Sequence, residues 1–332
     1  MDIPVGFTFS EEEKAAARTL LLAVDTSPYR DYEGFEREVR ESVAPQMSSS
    51  RFAEHCTRVK KVHGFAEPFV RLANCPVDLQ VPPLSFDDPV GDKRRLKTTF
   101  VAEGFLLLYA IFMDQVLYAY QNTNDGDIFQ DIRPMRELAE SQSQKTLRGL
   151  SFHKDDANHY VRPLWFNILG IQSAGVNVVN TCYSANKDIL AALSDDTKKI
   201  LAAAEFITPH DDLTSAGGYD LAEEAQQHPI LGGDGPTDLR FFEKRTVGAS
   251  PRAQEAVDEL LRVVHEVKTP VHIQSGDFVG AANNACLHNR EVSEIKDVEQ
   301  LRGRWLVKTA SVGSLESIRP YLVADSARVV KG

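Results

Sequence analysis

The chain has 332 residues, 42% of them hydrophobic and 26% charged, which is the usual balance of a globular protein with a large core. Its formal net charge is −11. This surplus of acidic residues argues against binding to nucleic acid or to an anionic membrane surface, because both need excess Lys and Arg. We expect a small-molecule substrate as the partner, and the oligomeric state stays open.

The start of the chain and its longest apolar run bear on the compartment. Residues 1–14 lack the basic start and apolar core of a secretory signal. Residues 100–120 are long enough to span a membrane, but they contain Glu103, Asp114 and Gln115. The four cysteines are Cys56, Cys75, Cys182 and Cys286. They form no CxxC pair, which indicates a reducing cytoplasm and excludes a zinc or disulfide framework.

The first third of the sequence predicts helices. Ser10 and Glu13 form an S-x-x-E capping box ahead of an apolar helical stretch. A Pro- and Asp-rich segment at 75–92 predicts an ordered loop. Further helices are predicted over 31–44, ending near Pro45, and over 50–62 and 98–120.

From about residue 128 the pattern changes to short apolar runs separated by turn residues, which predicts strands. The predicted strands lie at 165–172, 176–183, 270–274, 277–282 and 304–312. Helical insertions are predicted at 186–206 and 250–267, the second with Ser250 as N-cap and Pro251 at its first position. Many short strands with a few helices favour a β-sandwich or barrel core with helical additions.

One short motif has the composition of a metal site. His153 and Asp155, in "LSFHKDDANHYVRP", would share one face of a strand because side chains two positions apart point the same way. Two histidines and one carboxylate suit Fe(II) and leave coordination positions open for substrate and O₂. His288, 133 positions after Asp155, is the candidate second histidine. Taken alone, H-x-D also fits a hydrogen-bonded surface pair.

A longer ordered set of motifs surrounds this one. The segment "FQDIRPMRELAESQSQKTLRGLSFHKDDANHYVRP" is followed by "HPILGG", "SGDFVGAANNACLHNREV" and "RWLVKTASV". In that order they resemble the clavaminate synthase-like branch of the Fe(II)/2-oxoglutarate oxygenases, which includes hydroxylases of free amino acids. The resemblance covers about residues 98–312. Gln130 and Asp131 stand out only through it, and we interpret them as lid or buried polar residues.

The resemblance implies that His153, Asp155 and His288 are the catalytic iron ligands, with 2-oxoglutarate and O₂ as co-substrates. An acidic residue at 155 favours an oxygenase over the related halogenases, which have a small residue there. The R-W-L motif implies that Arg304 binds the distal carboxylate of 2-oxoglutarate, with Arg302 as the alternative. Thr181 matches a threonine that hydrogen-bonds 2-oxoglutarate, or is simply a β-branched strand residue.

For the prime substrate, the resemblance implies that Ser143 and Lys308 bind its carboxylate. Substrate-contacting side chains are also expected at Glu243, Lys244 and Arg245, within residues 238–250. The two cations favour a substrate whose distal end is neutral or anionic. An inward-facing Glu243 would reverse this argument, and a solvated charge run on a loop is the alternative.

The remaining histidines are interpreted without a catalytic role. We expect Asp156 and His159 to be bystanders, His159 lying beyond the end of the strand, and His272 to be a hydrogen-bonded strand residue. His210, with Asp211 and Asp212, lies among Pro, Gly and Ser residues, which predicts a surface loop or an active-site lid.

Together these features predict one catalytic domain over 1–332. Its core is a double-stranded β-helix (jelly roll, cupin-like) over 98–332 with helical insertions, buttressed by a helical N-terminal cover over 1–97. The resemblance implies hydroxylation of an unactivated C–H bond in a small amino acid or similar substrate, in natural-product biosynthesis. Desaturation, cyclisation, a carrier-tethered substrate and a non-catalytic jelly-roll binding protein are the alternatives.

Overall fold

The computed structural model describes residues 3–209 and 226–331. Its helices are α1 Glu11–Leu22, α2 Tyr32–Glu38, α3 Ala44–Met47, α4 Arg51–Lys60, α5 Pro89–Leu96, α6 Val101–Phe112, α7 Asn186–Ala192, α8 Asp195–Leu201, α9 Pro251–Val267 and α10 Val298–Gly303. A π-type turn, Val39–Val43, joins α2 to α3. None of the helices in the described part of the chain has the length and apolar character to cross a membrane.

The strands are β1 Phe7–Thr8, β2 Phe69–Ala73, β3 Val116–Tyr120, β4 Gln130–Ile132, β5 Leu150–His153, β6 Trp165–Gln172, β7 Val178–Ala185, β8 Phe206–Ile207, β9 Val247–Gly248, β10 Thr269–Val271, β11 Phe278–Ala282, β12 Cys286–Glu294, β13 Trp305–Val312 and β14 Val329–Val330. Within the described ranges, eight of them form a large sheet in the order β1-β2-β11-β6-β13-β3-β14, with β4 paired to β13. A second sheet has the order β10-β7-β12-β5, and β8 pairs with β9.

The two larger sheets pack face to face through alternating apolar side chains. Phe166 and Ile168 on β6 share one buried cluster with Tyr183 on β7 and Cys286 on β12. On the other face of the large sheet, Tyr109 of α6 packs against Phe278 of β11, with ring centroids 4.4 Å apart. The result is a mixed sheet-and-helix fold. Its smaller sheet contains β5 and β12, the strands on which His153 and His288 lie.

The N-terminal elements confirm several predictions and correct others. Both hydrogen bonds of the Ser10–Glu13 capping box are present. The predicted loop at 75–92 ends earlier than expected, because α5 begins at Pro89. The predicted cover over 1–97 is not purely helical, since β2 joins the large sheet by pairing with β11.

The predicted helix over 98–120 divides into α6 and β3. Asp114 has a left-handed backbone (φ 54°), which ends the helix and turns the chain into the strand. Every residue of α6 from Val101 to Ala110 is buried, so no polar face marked where the helix ends. The predicted end near Pro45 is also displaced, since Pro45 occupies the first turn of α3 and the helix continues to Met47.

Helix α9 supports the strand pair that carries the candidate metal ligands. Its buried face, which includes Val257 and Leu260, belongs to the same apolar cluster as Phe152 and Leu287. These two residues directly precede His153 and His288 in the sequence. Helix α9 therefore packs against β5 and β12 and supports the two strands on which the histidines lie.

Replacing Ser250 with alanine is expected to lower the free energy of unfolding by about 1 kcal/mol. The Ser250 hydroxyl accepts a hydrogen bond from the backbone N–H of Ala253 (3.2 Å) at the start of α9. Denaturant unfolding checks this, with Ser49→Ala in an exposed turn as the control. Equal stability of the two variants would contradict the capping role.

Candidate metal centre

The two candidate histidine ligands face each other across neighbouring antiparallel strands. His153 on β5 is the register partner of His288 on β12, and their ring centroids lie 4.4 Å apart. The Asp155 Oδ1 atom lies 3.4 Å from His153 Nε2 and 3.6 Å from His288 Nε2. Among the residues described, these three are the group whose ligand atoms all lie within 4.8 Å of one another.

Asp155 reaches the histidines in a different way from that predicted. Strand β5 ends at His153, and Asp155 lies in the following turn. The side chain of Asn283 holds this turn, accepting from the N–H of Asp155 (3.1 Å) and donating to its carbonyl (3.1 Å). The prediction that both side chains share a strand face is therefore wrong, although their convergence is confirmed.

The protonation states fit a divalent metal. The Nδ1 of His153 donates to the Ser151 carbonyl (2.8 Å), which leaves Nε2 as the coordinating atom. Burial and the neighbouring His153 lower the pKa of His288 to about 3, so this imidazole is neutral, as a ligand must be. Burial raises the pKa of Asp155, but the neighbouring ammonium group of Lys308 opposes burial, and the pKa lies well below its usual value.

Lys308 contributes a contact that the sequence did not reveal. Its Nζ donates to Asp155 Oδ2 at 3.0 Å, while Oδ1 of the same carboxylate faces the histidines. Partners that orient a ligating carboxylate in this way also tune the affinity for the metal.

Replacing Lys308 with methionine is expected to weaken Fe(II) binding by about 10–100-fold, the usual cost of losing an outer-shell partner. Lys308→Arg should lose less, because the guanidinium still donates to Asp155. Anaerobic Fe(II) titration checks both variants, with Lys268→Met as the control, since Lys268 pairs with Glu291. Unchanged iron affinity in Lys308→Met would limit Lys308 to a contact with the substrate.

The cavity around the three ligand residues has two lobes that meet at them. Residues that line both lobes are Gln144, Leu150, His153, Asp155 and Lys308. The arginine lobe is further lined by Thr181, His288, Arg290 and Arg304. The amide lobe is further lined by Gln130, Gln142, Ser143, Asn158, His159 and Phe242. A metal at the junction would be accessible from both sides.

Of the two candidate arginines, Arg304 lines the arginine lobe and Arg302 does not. Arg304 is 3% exposed, and no carboxylate within residues 3–209 and 226–331 lies at ion-pair distance from its guanidinium. Burial lowers its pKa to about 10, so it remains cationic near neutral pH. Arg302 instead pairs with Glu299 and packs over the ring of Phe86 (4.6 Å), outside the lobe. A buried guanidinium without a carboxylate partner is suited to an anionic ligand.

The predicted substrate residues are only partly brought together. Ser143 lines the amide lobe beside Lys308. Glu243, Lys244 and Arg245 line neither lobe, because Phe242 pairs with His153 in an antiparallel bridge and presents its own ring to the cavity. Residues 243–245 form a turn directly after this bridge, with a left-handed backbone at Lys244 (φ 68°), and the turn leads away from the cavity.

The three side chains after Phe242 have other environments. The Glu243 carboxylate accepts from the N–H of Phe152 (2.9 Å) and lies 3.2 Å from His265. Lys244 is exposed, and the Arg245 guanidinium lies over the Phe242 ring (5.1 Å). The expectation that the two cations set the charge of the substrate's distal end therefore has no support in the cavity.

The other histidines follow the predictions in part. His272 is hydrogen-bonded through Nδ1 to the Val179 carbonyl (2.8 Å), as predicted, although it lies just after the end of β10 and not within the strand. His159 and Asp156 were expected to be bystanders, but both line the amide lobe, because the turn after His153 folds back over the cavity. The predicted loop or lid containing His210, Asp211 and Asp212 lies outside the described residues.

Two polar residues of the resemblance motif have different environments. Asp131 is a buried core residue, bonded to Lys93 Nζ (2.7 Å) and Trp305 Nε1 (2.9 Å). Gln130 is the register partner of Lys308, and it lines the amide lobe with its Nε2 lacking a hydrogen-bond partner among the described residues. Pairing of β4 with β13 brings Gln130 to the site, and the motif alone contained no signal for that pairing.

Comparison with known proteins agrees with the geometry. No family model matches the sequence. L-asparagine oxygenase from Streptomyces coelicolor is 26% identical over 207 residues, which are 62% of this chain and 61% of that protein. The match thus spans about three fifths of the relative's length.

Solved structures match almost the whole chain. Asparagine oxygenase in complex with Fe(II), 2S,3S-3-hydroxyasparagine and succinate has a TM-score of 0.82 at 21% identity, covering 98% of this chain and 99% of that one. The non-heme iron oxygenase OrfP in complex with Fe and alpha-ketoglutaric acid has a TM-score of 0.78 at 19% identity, with the same coverage. The chain is therefore a relative of asparagine oxygenase with the fold of the non-heme iron oxygenases, which confirms the resemblance predicted from its motifs.

Proposed function

We propose that this protein is an Fe(II)- and 2-oxoglutarate-dependent oxygenase that hydroxylates an unactivated C–H bond of a small amino acid. The observation that carries the proposal is the joint position of His153, Asp155 and His288 at the meeting point of two lobes. One lobe contains the buried Arg304, which has no carboxylate partner within residues 3–209 and 226–331, and the other contains several amide and hydroxyl side chains. The two packed sheets correspond in this proposal to the sheets of a jelly roll.

The proposed domain is single and includes the N-terminal segment. The buried residues of α1, α4 and α6 form one apolar cluster with Leu169, Phe278 and Trp305 of the large sheet. This shared core supports one catalytic unit over 1–332 and not a separable cover.

When bound, Fe(II), 2-oxoglutarate and O₂ supply the oxidising power that breaks the C–H bond, and succinate and CO₂ are released. The chain's own part is to bind, orient and exclude water. His153, Asp155 and His288 would hold the metal, and a set of two histidines and one carboxylate would leave coordination positions open for 2-oxoglutarate and O₂. Lys308 keeps one oxygen of Asp155 directed at the metal position.

The arginine lobe suits the dicarboxylate. The planar Arg304 guanidinium donates to a carboxylate through two parallel hydrogen bonds, and its burial excludes competing water. Thr181 lines the same lobe and offers a hydroxyl donor. Arg304 would hold one carboxylate of 2-oxoglutarate in the lobe that His153, Asp155 and His288 also line.

The amide lobe suits an amino acid with an uncharged, hydrogen-bonding side chain. The Nε2 atoms of Gln130 and Gln144 are buried donors without partners in the described part of the chain. Lys308 and Ser143 lie beside them, where a substrate carboxylate would be bound. The relative named L-asparagine oxygenase suggests asparagine or a similar amino acid as the first candidate.

The test is succinate formation with Fe(II), ascorbate and 2-oxoglutarate over a panel of L-asparagine, L-glutamine, L-aspartate, L-arginine and L-lysine. We expect stimulation by a neutral polar amino acid, with a product that has gained one oxygen atom. Loss of two hydrogens would indicate desaturation or cyclisation instead. Succinate formation that no amino acid stimulates and that His153→Ala does not lower would favour a non-catalytic binding protein.

A further inference from the structure

Arg290 is a second buried arginine of the arginine lobe, with an unusual set of partners. It lies on β12 two positions after His288 and is 7% exposed. No carboxylate in the described ranges lies at ion-pair distance from it. Its guanidinium donates to the backbone carbonyls of Thr146 (3.0 Å), Arg148 (3.1 Å), Gln144 (3.3 Å) and Ser143 (3.5 Å).

Through its first two residues, the segment held in this way, residues 143–148, contributes to the partition between the two lobes. Ser143 lines the amide lobe, and Gln144 lines both lobes. The segment has no regular secondary structure, so most of its carbonyls need donors from elsewhere in the chain. Arg290 supplies those donors from the strand that also carries a candidate metal ligand.

We propose that Arg290 is a positioning residue that fixes the 143–148 partition and thereby aligns the prime substrate with the metal. The inference rests on the proposed function, because it assigns the substrate to the amide lobe. Loss of the Arg290 contacts releases the carbonyls of Ser143 and Gln144, and their side chains then lose their fixed distance from the metal ligands. The substrate consequently binds less well. Part of the 2-oxoglutarate is then converted to succinate and CO₂ without hydroxylation, and ascorbate reduces the second oxygen atom of O₂ to water.

The shape of the side chain matters as much as its charge. Arginine has five N–H donors in a rigid planar fork, which fits several carbonyls at once. Lysine has three donors on one atom and cannot span carbonyls from Ser143 to Arg148. Arg290→Lys therefore preserves the buried positive charge but not the bridging of the segment.

The experiment compares Arg290→Lys and Arg290→Gln with Arg328→Gln in the full chain. Arg328 is also a largely buried arginine that donates to a carbonyl, that of Leu117 (3.2 Å), but it lines neither lobe. Hydrogen–deuterium exchange is measured over peptides covering 139–150, without turnover. The KM for the prime substrate and the ratio of succinate to hydroxylated product are measured separately.

We expect faster exchange over 143–148 in both Arg290 variants and not in Arg328→Gln. The substrate KM should rise by about 10-fold or more, because misplacement by about 1 Å can cost about 100-fold. The succinate-to-product ratio should rise as well, with only partial recovery in Arg290→Lys.

Two results would overturn the inference. One is unchanged exchange over 143–148 in both Arg290 variants. The other is a loss of thermal stability with the wild-type KM and product ratio. Because the exchange measurement needs no catalysis, it still tests the role of Arg290 if wild-type protein hydroxylates no amino acid.

Discussion

His288→Ala is expected to abolish Fe(II) retention and to lower substrate-stimulated succinate formation by more than about 100-fold. Removal of an outer-shell partner alone costs about 10–100-fold in metal affinity, and a direct ligand contributes more. The remaining residues, His153 and Asp155, would give the metal two protein ligands in place of three. Iron content after gel filtration and the succinate assay measure the two effects.

The matched control is His272→Ala. His272 directly follows β10, a strand of the sheet that also contains β12. Its Nδ1 is bonded to the Val179 carbonyl, and its side chain lines neither lobe. This variant should retain wild-type iron content and activity. Equal iron retention by His288→Ala and wild type would contradict the assignment of His288 as a ligand and leave only a packing role.

The metal ligands could be predicted because motif order constrains them more than local geometry does. The H-x-D pattern alone suggested a strand with two side chains on one face. In the structure the strand ends at His153, and Asn283 holds the turn that directs Asp155 back to the histidines. The three side chains converge as predicted although the geometric reason was wrong, since the motif order does not depend on the backbone conformation at one residue.

The residues that line the amide lobe were harder to predict, because contacts between segments distant in sequence bring them together. Lys244 and Arg245 closely follow Phe242, which lines the cavity, yet the turn after the bridge between His153 and Phe242 leads away from the cavity. Gln130 enters the site only because β4 pairs with β13. Neither pairing has a local sequence signal, so the amide side chains that line the lobe are evident only from the tertiary structure.

The fold shows the same division between local and non-local information. Helix α9 has a Ser-Pro start and an amphipathic face, and both its bounds and its cap were predicted. Helix α6 is buried on all sides, so its periodicity did not separate it from β3. Burial by tertiary neighbours removes the polar positions on which a sequence-based boundary depends.

Arg304→Met is expected to raise the KM for 2-oxoglutarate by about 30-fold or more, because truncating one partner of a buried charge pair costs about 2–5 kcal/mol. Arg302→Met should leave this KM unchanged, since Arg302 pairs with Glu299 outside the cavity. Calorimetric titration with 2-oxoglutarate checks binding independently of turnover, and iron content checks that the metal site is intact. A larger effect at Arg302 would mean that Arg302, the alternative considered from the sequence, binds 2-oxoglutarate and that Arg304, with its buried charge, binds another anion.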